Sequence, residues 1–206
     1  MTRVGINRVG RGAAVAVCLW LVAVPLAAKE LLHNATGMLT DHLGGDFTLQ
    51  GEEGPVTLSD YRGKVVILYF GYTSCPDVCP MSLSIMRRTM QQLSEDQATQ
   101  VQGIFVTVDP ERDKGEALQH YVRFFYPTFI GLRGSESELK PIARQWGVGY
   151  QKQASGSALG YLLAHTDYLY LLDQQGELAG LFHSLSQPEE LIGVIEALLK
   201  SPPHSN

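Results

Sequence analysis

Hydrophobic positions divide the chain into segments of two periods. Continuous apolar runs at 65–70 and 104–108 have strand length and suit a sheet covered on both faces. Leu83, Met86, Met90 and Leu93 recur at helical spacing and predict an amphipathic helix over 80–94. Pro80 fits the first turn of that helix, where a missing N–H leaves no bond unmade. Short alternating runs at 47–49 and 56–58 flank a glycine-bounded turn at 51–54 and predict an N-terminal hairpin. Beyond these come a helix over 116–125, a short strand at 129–132 and a helix over 137–146. In the last of these, Pro141 is tolerable only if the helix begins near Glu138. Two short segments, 150–153 and 161–164, surround a Ser/Gly-rich loop, and strands follow at 168–172 and 178–182. Ser186-Gln187-Pro188-Glu189 is a capping box that opens a final helix with Leu191, Ile195 and Leu198 on one face. This order of elements points to an α/β fold with a mixed central sheet flanked by helices.

The first residues break the pattern. Arg3, Arg8 and Arg11 form a basic segment without an acidic residue, and an apolar run over 13–28 follows, so 1–28 reads as a signal sequence or membrane anchor. The run is shorter than the roughly 20 residues that span a bilayer comfortably, while bulky Leu26 makes Pro25-Leu26-Ala27-Ala28 only a fair cleavage site, so both readings stand. Cys18 lies inside the run after Val17, a poor fit to a lipoprotein processing site, and reads as a plain apolar residue. Residues 29–43 form a linker, 44–200 the folded domain and 201–206 a tail.

Composition narrows the partners. The 206-residue chain carries 16 basic and 21 acidic side chains; without its three leading arginines the basic count falls to 13 and the net charge to −8. That balance argues against nucleic acid, whose binding is driven by cationic surface. It fits a cation or a basic partner face, and solubility explains it equally. An exported domain lies where thiols tend to oxidise.

Chemistry concentrates in Cys75-Pro76-Asp77-Val78-Cys79-Pro80, directly after the first buried run. With Pro80 as the first helical residue, Cys79 would be the N-cap and Cys75 would lie one turn earlier. There the helix dipole favours thiolate, which is both a better nucleophile and a better metal ligand. A structural disulfide across so short a loop would contribute only about 2 kcal/mol, and a domain of this size does not need it. Redox and metal roles therefore both remain. Thioredoxin-type oxidoreductases use a two-residue gap, whereas the three-residue gap here gives the sulfurs more freedom to accommodate an ion. Thiolates select Cu(I), Zn(II) or iron–sulfur clusters, and two sulfurs are too few for a closed zinc site, so a third ligand is expected.

Of the six histidines, His33 and His42 fall in the linker, His204 in the tail and His120 within a helix. His183 follows a strand and is a reserve candidate. His165 lies between 161–164 and the strand at 168–172, on an expected loop entering the sheet, where an ordinary hydrogen-bonded role is the competing reading. Asp109-Pro110-Glu111-Arg112-Asp113 follows the strand at 104–108, at the sheet end where α/β proteins place functional loops. It also reads simply as a charged turn, with Asp113 capping the next helix and Arg112 paired to a carboxylate. Asp77 either tunes the charge between the thiols or stabilises a turn.

Taken together, these motifs resemble the Sco/SenC family of copper-binding, thioredoxin-like proteins. The matching stretches are Gly44-Gly45-Asp46-Phe47-Thr48-Leu49, Gly63-Lys64-Val65, Phe70-Gly71-Tyr72-Thr73-Ser74-Cys75-Pro76-Asp77-Val78-Cys79-Pro80, Val106-Thr107-Val108-Asp109-Pro110-Glu111-Arg112-Asp113 and His165-Thr166 before a strand. The resemblance runs from about residue 40 to 200. It implies a thioredoxin-like domain held by an N-terminal anchor on the outer, periplasmic side of the bacterial inner membrane, with copper, as Cu(I) or Cu(II), bound by Cys75, Cys79 and His165. It also implies a role in assembling the dinuclear copper centre of cytochrome c oxidase, by delivering copper to the copper-accepting subunit or by reducing that client's cysteines. A periplasmic thiol reductant or copper donor would be a further partner. One position departs, because Ala164 stands where such proteins usually carry Asp before the histidine.

Three functions compete. The first is a copper metallochaperone. In the second, a thiol-disulfide reductase, Cys75 and Cys79 would act as the redox-active pair. No proline occurs between Pro141 and Pro188 to supply the proline that faces the thiols in thioredoxin-type enzymes, and His165 falls near that place, which favours metal. In the third, a peroxidase of peroxiredoxin type, Thr73 is present but the accompanying proline is missing.

Overall fold

The computed structural model describes residues 43–156 and 160–200. The expectations for the leader, for nearly all of the linker and for the tail, along with Cys18, His33, His42 and His204, lie outside the described residues.

Strands β1 (Thr48–Gln50) and β2 (Pro55–Thr57) pair antiparallel with Leu49 opposite Val56, which is the expected N-terminal hairpin. A 3-10 turn at Leu58–Tyr61 follows and buries Leu58. The main sheet contains β3 (Val65–Gly71), β4 (Val101–Thr107), β5 (Ile130–Leu132), β8 (Tyr168–Leu172) and β9 (Leu178–His183), in the order β5-β4-β3-β8-β9. Strands β3, β4 and β5 run parallel, and β8 and β9 run antiparallel to their neighbours, so the sheet is mixed. Every residue of β3 and β4 is buried, as continuous apolar runs require of strands covered on both faces.

Among the described residues there are five α-helices: α1 (Val78–Gln92), α2 (Glu95–Thr99), α3 (Gly115–Phe125), α4 (Glu136–Gln145) and α5 (Pro188–Lys200). Side-chain alternation along β3 sends Tyr69 to one face and Phe70 to the other. Tyr69 meets Phe105, which in turn meets Tyr121 of α3, and α1 packs against both α3 and α5 on this side. On the opposite face Phe70 and Tyr170 pack against Trp146, which closes α4 and also meets Phe47 beside the first hairpin. The result is a thioredoxin-like arrangement of a mixed sheet between helical layers.

Three expectations need correction. Helix α1 begins at Val78, two residues early, with Asp77 as its N-cap. Cys79 and Pro80 therefore occupy the second and third helical positions. Pro80 is harmless there because the first turn's N–H groups have no intrahelical acceptors. Helix α4 begins at Glu136, not near Glu138, because Ser135 and Glu138 form a capping box that fixes its start. Pro141 is thus the sixth helical residue, past the tolerant first turn, and buried Leu139, Ile142 and Ala143 hold the helix across it. Third, His165 is not on a loop. It ends β7 (Tyr161–His165), which pairs antiparallel with β6 (Tyr150–Ala154) in a separate two-stranded ribbon. The short helix α2, opened by its own Ser94/Gln97 capping box, was not expected from the pattern.

Pro141 is exposed and replaces a backbone donor that could bond the Ser137 carbonyl one turn back. Pro141→Ala is therefore expected to stabilise the domain by about 1–3 kcal/mol, read from the denaturant midpoint at unchanged slope. A variant no more stable than the parent would show that α4 bends to absorb the ring at no cost.

Candidate metal centre

The end of β3 and the start of α1 bring the two thiols together. Gly71 is the last residue of β3, and a Cβ built there would lie 2.9 Å from Cys79 Sγ and 2.8 Å from a Tyr69 ring carbon. Only glycine leaves room for the buried sulfur. Cys79 is wholly buried, Cys75 keeps 9% of its surface, and both are free thiols.

The β6–β7 ribbon supplies the third group. His165 Nε2 lies 3.3 Å from Cys79 Sγ, and the donor atoms of Cys75, Cys79 and His165 all fall within 4.8 Å of one another. Nδ1 of the same ring is 2.9 Å from the Thr166 carbonyl oxygen. A carbonyl only accepts, so Nδ1 carries a proton and Nε2 is the atom presented to the sulfurs. The rings of Tyr69 and Tyr72 meet the imidazole edge to face, at 6.2 and 5.6 Å between centroids. His183 ends β9, half exposed, and His120 is on the exposed side of α3; neither joins the cluster.

The two thiols are electrostatically unequal. A hydrogen bond from the Cys79 thiol brings the Cys75 pKa down to about 3, opposed by burial and helped by His165 and by the backbone N–H groups of Asp77 and Cys79. Burial, and then the neighbouring Cys75 sulfur, push Cys79 the other way. One proton is shared with the negative charge on the more exposed sulfur, at the N-terminal end of α1 where peptide dipoles favour it. Burial raises the Tyr72 phenol to about 12, with the Cys75 charge acting in the same direction. Its oxygen accepts from Leu163 N at 3.2 Å, which ties the loop before the thiols to β7.

The charged loop after β4 is more than a charged turn. Asp113 does not cap α3, whose N-cap is Lys114. Its carboxylate instead accepts from Thr73 N, Thr73 Oγ1 and Thr107 Oγ1, fastening the loop that leads to Cys75. Arg112 does pair with a carboxylate, that of Asp109, and its guanidinium lies 3.8 Å from the Tyr161 ring centroid while donating to the Tyr161 carbonyl. Tyr161 OH donates to Asp109 Oδ1 at 2.8 Å. A continuous set of contacts thus joins the thiol loop to the ribbon that carries His165. Thr73 carried a peroxidase reading in sequence; here its hydroxyl is spent on Asp113. Asp77 makes no side-chain capping bond. Ala164 pairs with Gln151 and is exposed, on the strand face opposite Leu163 and His165.

The fold and the Cys-Cys-His cluster define a thioredoxin-like protein with soft donors converging where the active strand meets the first helix. The SCO1/SenC family model matches residues 35–200, and the chain belongs to that family. An SCO2-like protein of Rickettsia conorii is 36% identical over 152 residues, 73% of this chain and 74% of the relative. Among solved structures, Arabidopsis thaliana ScoI with copper bound aligns at 34% identity and TM-score 0.71, over 77% of this chain and 99% of that one. Apo Sco1 from Thermus thermophilus aligns at 38% identity and TM-score 0.69, over 76% of this chain and 92% of the other.

Because the Cys75 pKa is depressed, its thiolate is already formed throughout pH 5–8. Iodoacetamide is expected to alkylate Cys75 in the reduced protein at a rate nearly flat across that range, with Cys79 protected, as peptide mass mapping would report. A rate climbing about tenfold per pH unit, as for an ordinary thiol, would contradict the assigned charge. Gly71→Ala is expected to cost about 1–3 kcal/mol by overpacking and to make Cys79 alkylatable. Unchanged protection of Cys79 would show that the helix accommodates the methyl group.

Proposed function

We propose that this protein is a copper metallochaperone in which Cys75, Cys79 and His165 hold copper and release it to the copper-accepting subunit of cytochrome c oxidase. The observation that carries this reading is the convergence of two sulfurs and one imidazole nitrogen within 4.8 Å. Two thiolates and an imidazole form a soft, low-coordinate donor set suited to Cu(I), and one of the sulfurs already bears the charge a cation would neutralise. The partly exposed Cys75 is open to an incoming ligand, as exchange with a client's thiols would require. Copper-bound ScoI from Arabidopsis and copper-bound yeast Sco1, the latter 28% identical at TM-score 0.69, support the choice of metal. The Sco family is described as one of cytochrome c oxidase assembly proteins, which supports the choice of client.

A reductase role is favoured by one specific feature, the asymmetry of the pair. The Cys75 thiolate would attack a client disulfide, forming a mixed disulfide and expelling one client thiolate. Cys79 would then displace the second client thiol and leave Cys75 and Cys79 oxidised. A periplasmic thiol reductant would restore them, and a copper donor would reload the site. Among the described residues no helix is long and apolar enough to cross a membrane. We read residues 1–28 as the leader or anchor and 29–43 as the tether, which would put the 44–200 domain on the periplasmic side of the inner membrane.

Anaerobic Cu(I) titration of the reduced protein is expected to give about one copper per chain, with near-complete loss in Cys75→Ser and Cys79→Ser and weakened binding in His165→Ala. Stoichiometric retention by Cys75→Ser would overturn the chaperone reading. If His165→Ala abolishes client maturation but leaves thiol exchange intact, metal delivery is the operative role; if maturation survives, reduction is.

A further inference from the structure

Asp167 lies two residues after His165, between the ribbon and β8, and its carboxylate reaches the other elements of the site. Oδ1 accepts from Tyr69 OH at 2.9 Å and from Ser82 Oγ at 3.0 Å. Tyr69 belongs to β3, which delivers the thiol loop, and Ser82 belongs to α1, three residues after Cys79; both are fully buried. Oδ2 is buried without a hydrogen bond, and His183 Nε2 stands 3.7 Å away. Asp167 is not a member of the Cys-Cys-His cluster.

From these contacts we infer that Asp167 is a positioning residue that aims His165 at Cys79, an inference that rests on the proposed copper site. Two routes lead from the carboxylate to the imidazole. The first runs through the backbone. The Thr166 carbonyl that holds His165 Nδ1 is in the residue immediately before Asp167, so a shift of Asp167 moves the backbone anchor of the ring. The second runs through Tyr69, whose ring meets the imidazole edge to face while its hydroxyl is held by Asp167. Removing the carboxylate leaves two buried hydroxyls without their acceptor and frees both routes at once. Ala164 adds nothing to this, since its side chain projects from the other face of β7. The carboxylate support of the histidine therefore comes from the position two residues after it.

The test is Cu(I) affinity by chelator competition, together with the absorption and electron paramagnetic resonance spectra of the Cu(II) form, on the whole chain. Asp167→Ala is expected to lower copper affinity by about 10–100-fold, the range for outer-shell partners, and to shift the sulfur-to-copper charge-transfer band. Asp167→Asn keeps an acceptor oxygen for both hydroxyls and is expected to recover affinity to within about threefold of the parent. His183→Ala is expected to match the parent, which separates positioning from the imidazole beside Oδ2. Should Asp167→Ala fail to fold, Ser82→Ala removes one of the two bonds without touching a ligand and is expected to shift the same band in the same direction by less. An Asp167→Ala protein with parental affinity and spectrum overturns the positioning role while leaving the copper site standing. A parent chain that binds no copper overturns both.

Discussion

The close packing of the first turn of α1 onto the end of β3 is the constraint on which the site depends. With only a hydrogen atom at Gly71, the helix sinks until Cys79 Sγ lies where a side chain from β3 would otherwise be. That depth buries Cys79 completely and leaves Cys75 at the rim. The charge then settles on the outer sulfur, because the inner one loses hydration and keeps its proton, and the outer one accepts a hydrogen bond from it, with His165 and the N–H groups at the helix start adding to the effect. Both proposed chemistries follow from the same asymmetry. An outer thiolate with an inner thiol behind it can attack a disulfide, and the same pair presents two sulfurs to a soft cation.

The third donor arrives on a differently supported element. Among the described residues the β6–β7 ribbon shares no strand pairing with the main sheet and is attached through side chains, with Leu163 in the core and Tyr150 and Tyr161 packed against it. Thr166 N bonds the Gly149 carbonyl and Gly149 N bonds Thr166 Oγ1, closing the base of the ribbon. Arg112, clasped between Asp109 and the Tyr161 ring, holds one end, and the partly buried setting makes that contact count. The Lys152–Glu111 pair nearby is exposed and contributes little. A cleft of about 570 Å³ lies between this ribbon and the Asp109–Glu111 side of the loop, lined in part by the buried Leu163. His165 therefore reaches the cluster from the ribbon, whereas both sulfurs come from the junction of β3 and α1 in the main core.

Much of this was legible in the sequence, and the boundary between what was and was not has a physical basis. Apolar runs and helical spacing revealed the buried strands, the hairpin and the main helices, because burial on one or two faces imposes a period on the chain itself. The thiol pair was visible as a soft-metal or redox motif because that chemistry needs two sulfurs close together, whereas His165 became its expected partner only through the resemblance to the Sco/SenC family. The start of α1 at Val78 and of α4 at Glu136 was not visible, since Asp77 and the Ser135/Glu138 box compete with proline signals that point two residues later.

What only the tertiary structure decided is how distant residues meet. That His165 ends a strand depends on Tyr150 across the ribbon, while Asp113 serving Thr73 instead of a helix cap and Asp167 bridging Tyr69 and Ser82 depend on partners 40 to 98 residues away in sequence. No local period encodes such contacts, because the free energy of a hydrogen bond between buried groups depends on where the fold brings them and not on their spacing along the chain. By itself, the sequence determined which atoms were available for chemistry; packing decided which sulfur carries the charge and which nitrogen faces it.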